Sequence, residues 1–357
     1  MQKADGMNYA PKGKVKPVCK KGEFLVGIIG LDHGHIHGMC NGLTEAGAEL
    51  VSVYDSDPGK VEAFCKTYPG VKQVLSEQEI LNDSRIHLIA SAIIPSLRCA
   101  LGLRSMQSGK DFFVDKAPFT TMEHLDSAKK AVKETGKKYM VYYSERLHVE
   151  SAVLAGNLIK ENAIGRVLQI IGLGPHRLNA SSRPPWFFQK DYYGGILCDI
   201  GSHQIEQFLS FSGAKHAEIT SARVANYHHK EYSEFEDFGE ATLVADNGAV
   251  NYFRVDWFTP DGLGVWGDGR AFILGTDGYI ELRKYIDIAR SPKGDQVYLV
   301  NHKGEKHIHA AGTVGFPFFG SLILDCLNRT ENAMTQEHAF KAAELCLRAQ
   351  AQASKIE

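Results

Sequence analysis

Strand-like runs and polar punctuation alternate along the first part of the chain. Residues 24–29 form an unbroken apolar run that stops at Gly30, and residues 49–55, 87–94, 110–115 and 139–143 repeat the motif. Near-continuous apolar runs are what parallel strands covered on both faces require. Helices are predicted between them. One follows Gly30; another follows Asp57-Pro58, an N-cap with proline at the first helical position, and ends at Pro69-Gly70. Two more span 96–108 and 121–136, the last with Leu125, Ala128 and Val132 on one face.

After Ser144 the pattern changes. A helix over 149–161 leads to a strand at 167–171 and a helix over 200–211. Long β-rich runs then cover 218–227, 241–257, 271–285 and 296–301. Asp246-Asn247-Gly248, Thr276-Asp277-Gly278 and Lys303-Gly304-Glu305 punctuate them as hairpin turns. Helices return at 318–328 and 336–353. The expected organisation is an N-terminal arm over 1–22 and a doubly wound parallel α/β domain over 23–145. An α+β domain on a large, mostly antiparallel open sheet follows over 146–357, with helix 336–353 packing back on the first domain.

Composition narrows the class. The chain has 357 residues with 44% hydrophobic and 23% charged, and a formal net charge of −2. Such a balance excludes the basic footprint of a nucleic-acid binder. No apolar run approaches the roughly 18 residues of a membrane span. The Lys-rich start lacks the apolar segment of a signal peptide. Seven cysteines are scattered without a C-x-x-C pair, which fits a reduced, cytoplasmic protein; Cys198 reads as a buried thiol.

Three segments carry chemistry. The first is the turn Gly30-Leu31-Asp32-His33-Gly34-His35. A strand, a glycine turn and a helix N-terminus are what a dinucleotide-binding crossover needs. The G-x-G-x-x-G fingerprint is broken, because Asp32 and His35 stand at its second and third glycines. Asp55, at the end of the second strand, is placed to accept ribose hydroxyls and to repel a 2′-phosphate, favouring NAD over NADP. The same loop, with Asp32, His33, His35 and His37, has a rival reading as a metal ligand set. No recognisable later ligands accompany it, so no metal is expected. The second segment is Asp115-Lys116-Ala117-Pro118, at the carboxyl end of a parallel strand, where ligands of open α/β sheets gather. The third runs from Tyr193 through Gly194-Gly195 to Asp199 and His203. Asp199 and His203 are four apart, so a helix starting there puts both on one face, where His203 is a fitting proton acceptor.

These segments, in this order, resemble the Gfo/Idh/MocA oxidoreductase family over nearly all of the chain after Phe24. Asp115-Lys116-Ala117-Pro118 looks like a variant of its Glu-Lys-Pro motif. Gly194 to His203 looks like its G-G-G-x-L-x-D-x-G-x-H motif, with Tyr193 at the first glycine; Cys99 stands where the family often has His. The resemblance implies a Rossmann domain followed by an open-sheet α/β domain. It implies that Lys116 holds substrate and nicotinamide ribose, that His203 is the general base, and that Asp199 orients substrate or base. Gly30, Leu31, Asp32, His33, Gly34, His35, Asp55, Pro95 and Lys116 would contact NAD. The implied reaction is hydride transfer between NAD and a secondary alcohol of a sugar, glycoside or cyclitol. Glycoside cleavage, lyase or epimerase chemistry beside a retained NAD, and a silent nucleotide- or sugar-binding role, stay open.

For the substrate, His176, Arg177, Arg183 and Trp186 mix polar donors with an aromatic platform that suits a polyol. Arg146 and His148 follow the last strand of the first domain. Two arginines in the 174–187 loop leave a carboxylated substrate open. One face of the antiparallel sheet needs cover, so a homodimer or homotetramer through that sheet is expected.

Overall fold

The computed structural model describes residues 5–13 and 16–356; residues 1–4, 14 and 15 of the expected arm lie outside them. The chain divides into two compact units. One comprises residues 7–142 and 316–340, the other residues 1–6, 143–315 and 341–357.

The first unit alternates β1 (Leu25–Ile29), α1 (His35–Glu45), β2 (Glu49–Tyr54), α2 (Pro58–Thr67), β3 (Lys72–Gln73), α3 (Glu77–Asn82), β4 (Leu88–Ser91), α4 (Pro95–Gln107), β5 (Asp111–Asp115), α5 (Met122–Thr135) and β6 (Tyr139–Tyr142). All strands are parallel, in the order β3-β2-β1-β4-β5-β6. Val26, Ile28, Leu88, Phe112, Phe113 and Val141 are fully buried, as the continuous apolar runs require. Cap chemistry sets the helix ends. Asp57 accepts the Gly59 amide at 2.8 Å, Thr121 accepts that of His124 at 3.2 Å, and Gly136 closes α5 in the left-handed region.

The second unit begins with α6 (Ser144–Leu147), α7 (Glu150–Lys160) and β7 (Val167–Pro175), which continues past the predicted end at residue 171. Next come α8 (Lys190–Tyr193), α9 (Ile196–Asp199) and α10 (Gly201–Ser212). The hairpin run follows: β8 (Ala217–Ala225), β9 (Phe238–Ala245), β10 (Val250–Asp256), β11 (Arg270–Gly275), β12 (Gly278–Arg283), β13 (Gln296–Asn301) and β14 (Gly304–His309). Helices α11 (Pro317–Asn328) and α12 (Gln336–Gln352) and strand β15 (Ser354–Ile356) complete the order. The nine-stranded sheet runs β14-β13-β12-β11-β7-β10-β9-β8-β15, antiparallel except at β7–β10 and β8–β15. Phe253, Leu243, Ile273 and Leu282 on one face are buried, while Val244 and Leu274 on the other are 38% and 37% exposed. Glycine lets α10 approach that sheet: a Cβ at Gly172 would lie 2.3 Å from the Gln204 side chain.

The N-terminal segment is divided between the units. Residues 7–13 track α1: the Met7 carbonyl fills the place of a Cβ at Gly34, Asn41 Nδ2 donates to the Ala10 carbonyl at 3.2 Å, and Gly13 N donates to Glu45. Residues 5 and 6 pack in the other unit, where Asn179 donates to Asp5 at 3.2 Å and Gly6 lies against His176 and Trp266.

Candidate functional site

In the first unit the glycine turn is fixed by hydrogen bonds. Gly30 has φ +85°, and a Cβ there would lie 2.6 Å from that of Ile93, so glycine is required twice over. Asp55 is buried and accepts the Leu31 amide at 2.7 Å through one oxygen and that of Asp57 at 2.8 Å through the other. Each oxygen keeps a lone pair for a ribose hydroxyl. Asp32, at a fingerprint glycine position, forms an ion pair with Lys60 on α2 at 2.5 Å and accepts the Ile94 amide at 3.2 Å, beside Pro95. Its charge is therefore taken up within the protein. The His33 amide donates to the Ala92 carbonyl at 3.0 Å. Among the described residues, the Asp32 and Gly34 amides are the two in residues 31–37 with no acceptor, which suits a phosphate at the start of α1.

The histidines of this loop separate. His37 stacks on Phe64 and Tyr68, and burial pushes its pKa down. His33 and His35 turn to Asp115, at 3.5 and 2.9 Å. The three offer candidate metal-ligand atoms within 4.8 Å of one another, yet the set is already organised by hydrogen bonds. His35 N donates to His33 Nδ1 at 3.2 Å, and the Arg98 guanidinium lies 3.4 Å from Asp115. Burial alone would raise the Asp115 pKa; His35, Arg98 and His33 outweigh it and hold the carboxyl well below the usual range. The loop's third fingerprint position thus belongs to a buried ionic network.

Sequence reasoning missed Arg98. Only 1% exposed, it reaches from α4 to the carbonyls of Ile93, Asp115 and Ala117, at 2.7, 3.0 and 2.9 Å. It therefore pins the backbone on both sides of Lys116, itself buried, through a segment whose Lys116–Ala117 peptide is cis. Cys99 donates to the His124 carbonyl at 3.2 Å, and burial pushes its thiol up to about 11.

In the second unit the glycine pair serves packing. Gly194 and Gly195 have φ +87° and +93°. The Gln350 amide sits 2.2 Å from where a Gly195 Cβ would be. Gln350 accepts the Leu197 amide at 3.0 Å and donates to Glu236, which accepts the Ile196 amide at 2.9 Å. This clamp caps α9. Helical geometry continues through Ile200 into α10, with Asp199 partly buried and His203 only 1% exposed. Burial, with Glu236 nearby, pushes the Cys198 thiol far up, which removes it as a nucleophile near neutral pH.

The arginines named from the sequence are all engaged within the protein. Arg146 forms a bidentate pair with buried Glu206, its Nε 2.8 Å from both oxygens. Arg177 donates to the carbonyls of Pro260 and Leu263, at 3.0 and 2.7 Å. Arg183 donates to the Leu178 carbonyl at 2.8 Å and stacks over Phe187 and Trp257. Burial lowers the Arg183 pKa against the pull of Asp5 and Asp199. His148 is fully buried. Trp186 is partly buried and touches Phe187. The aromatic rings beside His176 are instead Trp266 and Trp257, at 4.4 and 5.4 Å. Two further residues escaped the sequence reading: Glu145 and Lys284, a buried ion pair at 2.7 Å.

A Rossmann unit with a bound-in glycine turn, joined in one chain to an open-sheet unit, defines an NAD(P)-binding oxidoreductase architecture. The chain belongs to the Gfo/Idh/MocA family: the family model for an oxidoreductase with NAD-binding Rossmann fold matches residues 24–143, and that for the GFO/IDH/MocA C-terminal domain matches residues 153–281. It is similar to scyllo-inositol 2-dehydrogenase (NAD(+)) of Bacillus subtilis (strain 168), 26% identical over 258 residues, 71% of this chain and 72% of that protein. It is also 26% identical over 193 residues to D-xylose dehydrogenase of Paenarthrobacter nicotinovorans; the match covers 53% of this chain and spans about half, 48%, of that protein's length. A crystal structure of a protein classed as an oxidoreductase, from Erwinia carotovora atroseptica SCRI1043, superposes with a TM-score of 0.91 at 52% identity, covering 94% of this chain and all of the other. No helix of the described residues is long and apolar enough to cross a membrane.

Proposed function

We propose that this chain is an NAD-dependent dehydrogenase acting on a secondary alcohol of a neutral sugar, glycoside or cyclitol. The observation that carries the neutral substrate is the state of the arginines. Arg146, Arg177 and Arg183 are all held by carboxylates, carbonyls or rings of the protein, so none of the three is set out to clamp a carboxylate. Buried carboxylates, imidazoles and indoles take their place, and these are the groups that read hydroxyls and C–H faces. The names of the dehydrogenase relatives point the same way.

In this reading His203 takes the hydroxyl proton and Asp199 orients the base or the substrate. Lys116, stiffened by Arg98, holds substrate and ribose hydroxyls. Asp55 accepts from the ribose and disfavours a 2′-phosphate. A bound nicotinamide supplies the hydride acceptor. We further propose that the exposed sheet face, with Val244 and Leu274, joins copies of the chain.

The test is NADH formation by the purified protein with NAD and a panel of inositols, xylose and glucose. Lys116→Ala and His203→Ala are each expected to lower kcat/KM at least 100-fold, as loss of a general base or a positioning cation does. Full turnover in both variants would overturn the assigned roles. Bound NAD with no NADH release on any polyol would overturn the net oxidation.

A further inference from the structure

Glu145 is the second residue of α6 and only 2% exposed. Its Oε2 accepts from Lys284 Nζ at 2.7 Å and from Gln204 Nε2 at 3.3 Å. Lys284, just past β12, has a fully buried side chain. Among the described residues, Glu145 Oε1 accepts no hydrogen bond although it is buried. It lies 3.9 Å from His176 Nε2, beyond hydrogen-bond reach. His203 also contributes to the field around it.

A buried carboxylate oxygen without a donor is costly, and native structures rarely keep one idle. Protonation does not relieve the cost here. Burial would raise the Glu145 pKa, but Lys284, His203 and His176 hold it at about 2. The oxygen is therefore an acceptor at neutral pH. Its surroundings select the donor. A carboxylate ligand would be repelled by Glu145, and an ammonium would stand against Lys284, whose charge already balances the site. A neutral hydroxyl meets neither objection.

We infer that Glu145 Oε1 is a substrate-binding acceptor that takes a second hydroxyl of a polyol, on a carbon near the one whose hydroxyl His203 deprotonates. This rests on the dehydrogenase reading above. Lys284 and Gln204 are positioning residues: they hold Oε2 and so aim Oε1. Glu145 then selects polyols over simple secondary alcohols, because an analogue lacking the second hydroxyl leaves the buried carboxylate oxygen unmatched.

The experiment compares a polyol oxidised by the full-length wild type with its monodeoxy analogues, in wild type and Glu145→Gln. For one analogue the wild type is expected to lose at least 10-fold in kcat/KM relative to the parent polyol. In Glu145→Gln, KM for the parent rises at least 10-fold with a smaller change in kcat, and discrimination against that analogue falls below 3-fold. If Glu145→Gln leaves Lys284 unpaired and does not fold, the Glu145→Gln/Lys284→Met double variant gives the same ratio without a lone buried cation. Unchanged discrimination in a variant that folds overturns the inference while the dehydrogenase reading stands. A wild type that oxidises no polyol at all removes both.

Discussion

At the scale of single residues, the chemistry rests on buried charges that are paired before any ligand arrives. Arg98 illustrates the cost. It donates to three carbonyls and faces the Asp115 carboxylate. Removing one partner of such a buried pair costs roughly 3–5 kcal/mol. Arg98→Met is therefore expected to lower unfolding free energy by about that amount in urea titrations at pH 7. Adding Asp115→Asn should recover part of it. The pH dependence has a defined sign. Asp115 has a folded-state pKa below its unfolded value, which is near 3.9 for a model aspartate. Its stabilisation is complete above about pH 4 and drains as pH falls toward the folded-state value. The gap between wild type and Arg98→Met should narrow below pH 4; a constant gap would deny the pairing.

At the scale of elements, the glycines mark where side chains from distant parts of the chain arrive. Gly195→Ala would impose left-handed strain of about 1–2 kcal/mol and displace Gln350 from the Leu197 amide and Glu236. With about 1 kcal/mol for each hydrogen bond lost, a total near 2–4 kcal/mol is expected. Calorimetry should show it as a lowered melting temperature, and Gln350→Ala in the same background should add little, since the clamp is already broken. The sequence displayed the elements well and the clamp not at all. Parallel strands announce themselves as apolar runs, and Asp246-Asn247-Gly248 announces a hairpin, because both signals are local. The glycine pair was legible as a site of close approach, but its visitor, Gln350, lies 153 residues from Leu197. Glu145 and Lys284 were equally hidden: 139 residues apart, each reads as an ordinary surface charge until the fold buries them together. Strands β14 and β15 lacked an apolar signal because they are largely exposed edges of the sheet. Their charged side chains are typical of edges that must avoid pairing.

At the scale of the whole molecule, the open sheet is the feature that asks for a partner. Val244 and Leu274 face out from strands β9 and β11. A charged pair, Val244→Glu with Leu274→Glu, should reduce the light-scattering mass to that of one chain if this face joins copies, with the near-neutral net charge of −2 offering little long-range repulsion. A wild-type mass already equal to one chain would refute the assembly.

The division of the chain has a consequence for how the protein is made. The unit that carries Asp199 and His203 is assembled from three separated stretches, the last of them beginning at Lys341. Translation delivers every recognisable motif long before it delivers Gln350, which caps the helix on which Asp199 sits. A nascent chain therefore displays its whole signature while the turn before Asp199 is still unclamped. A premature stop codon shortly after residue 340 would leave a polypeptide that reads as a complete dehydrogenase in sequence and lacks the residue that holds the turn.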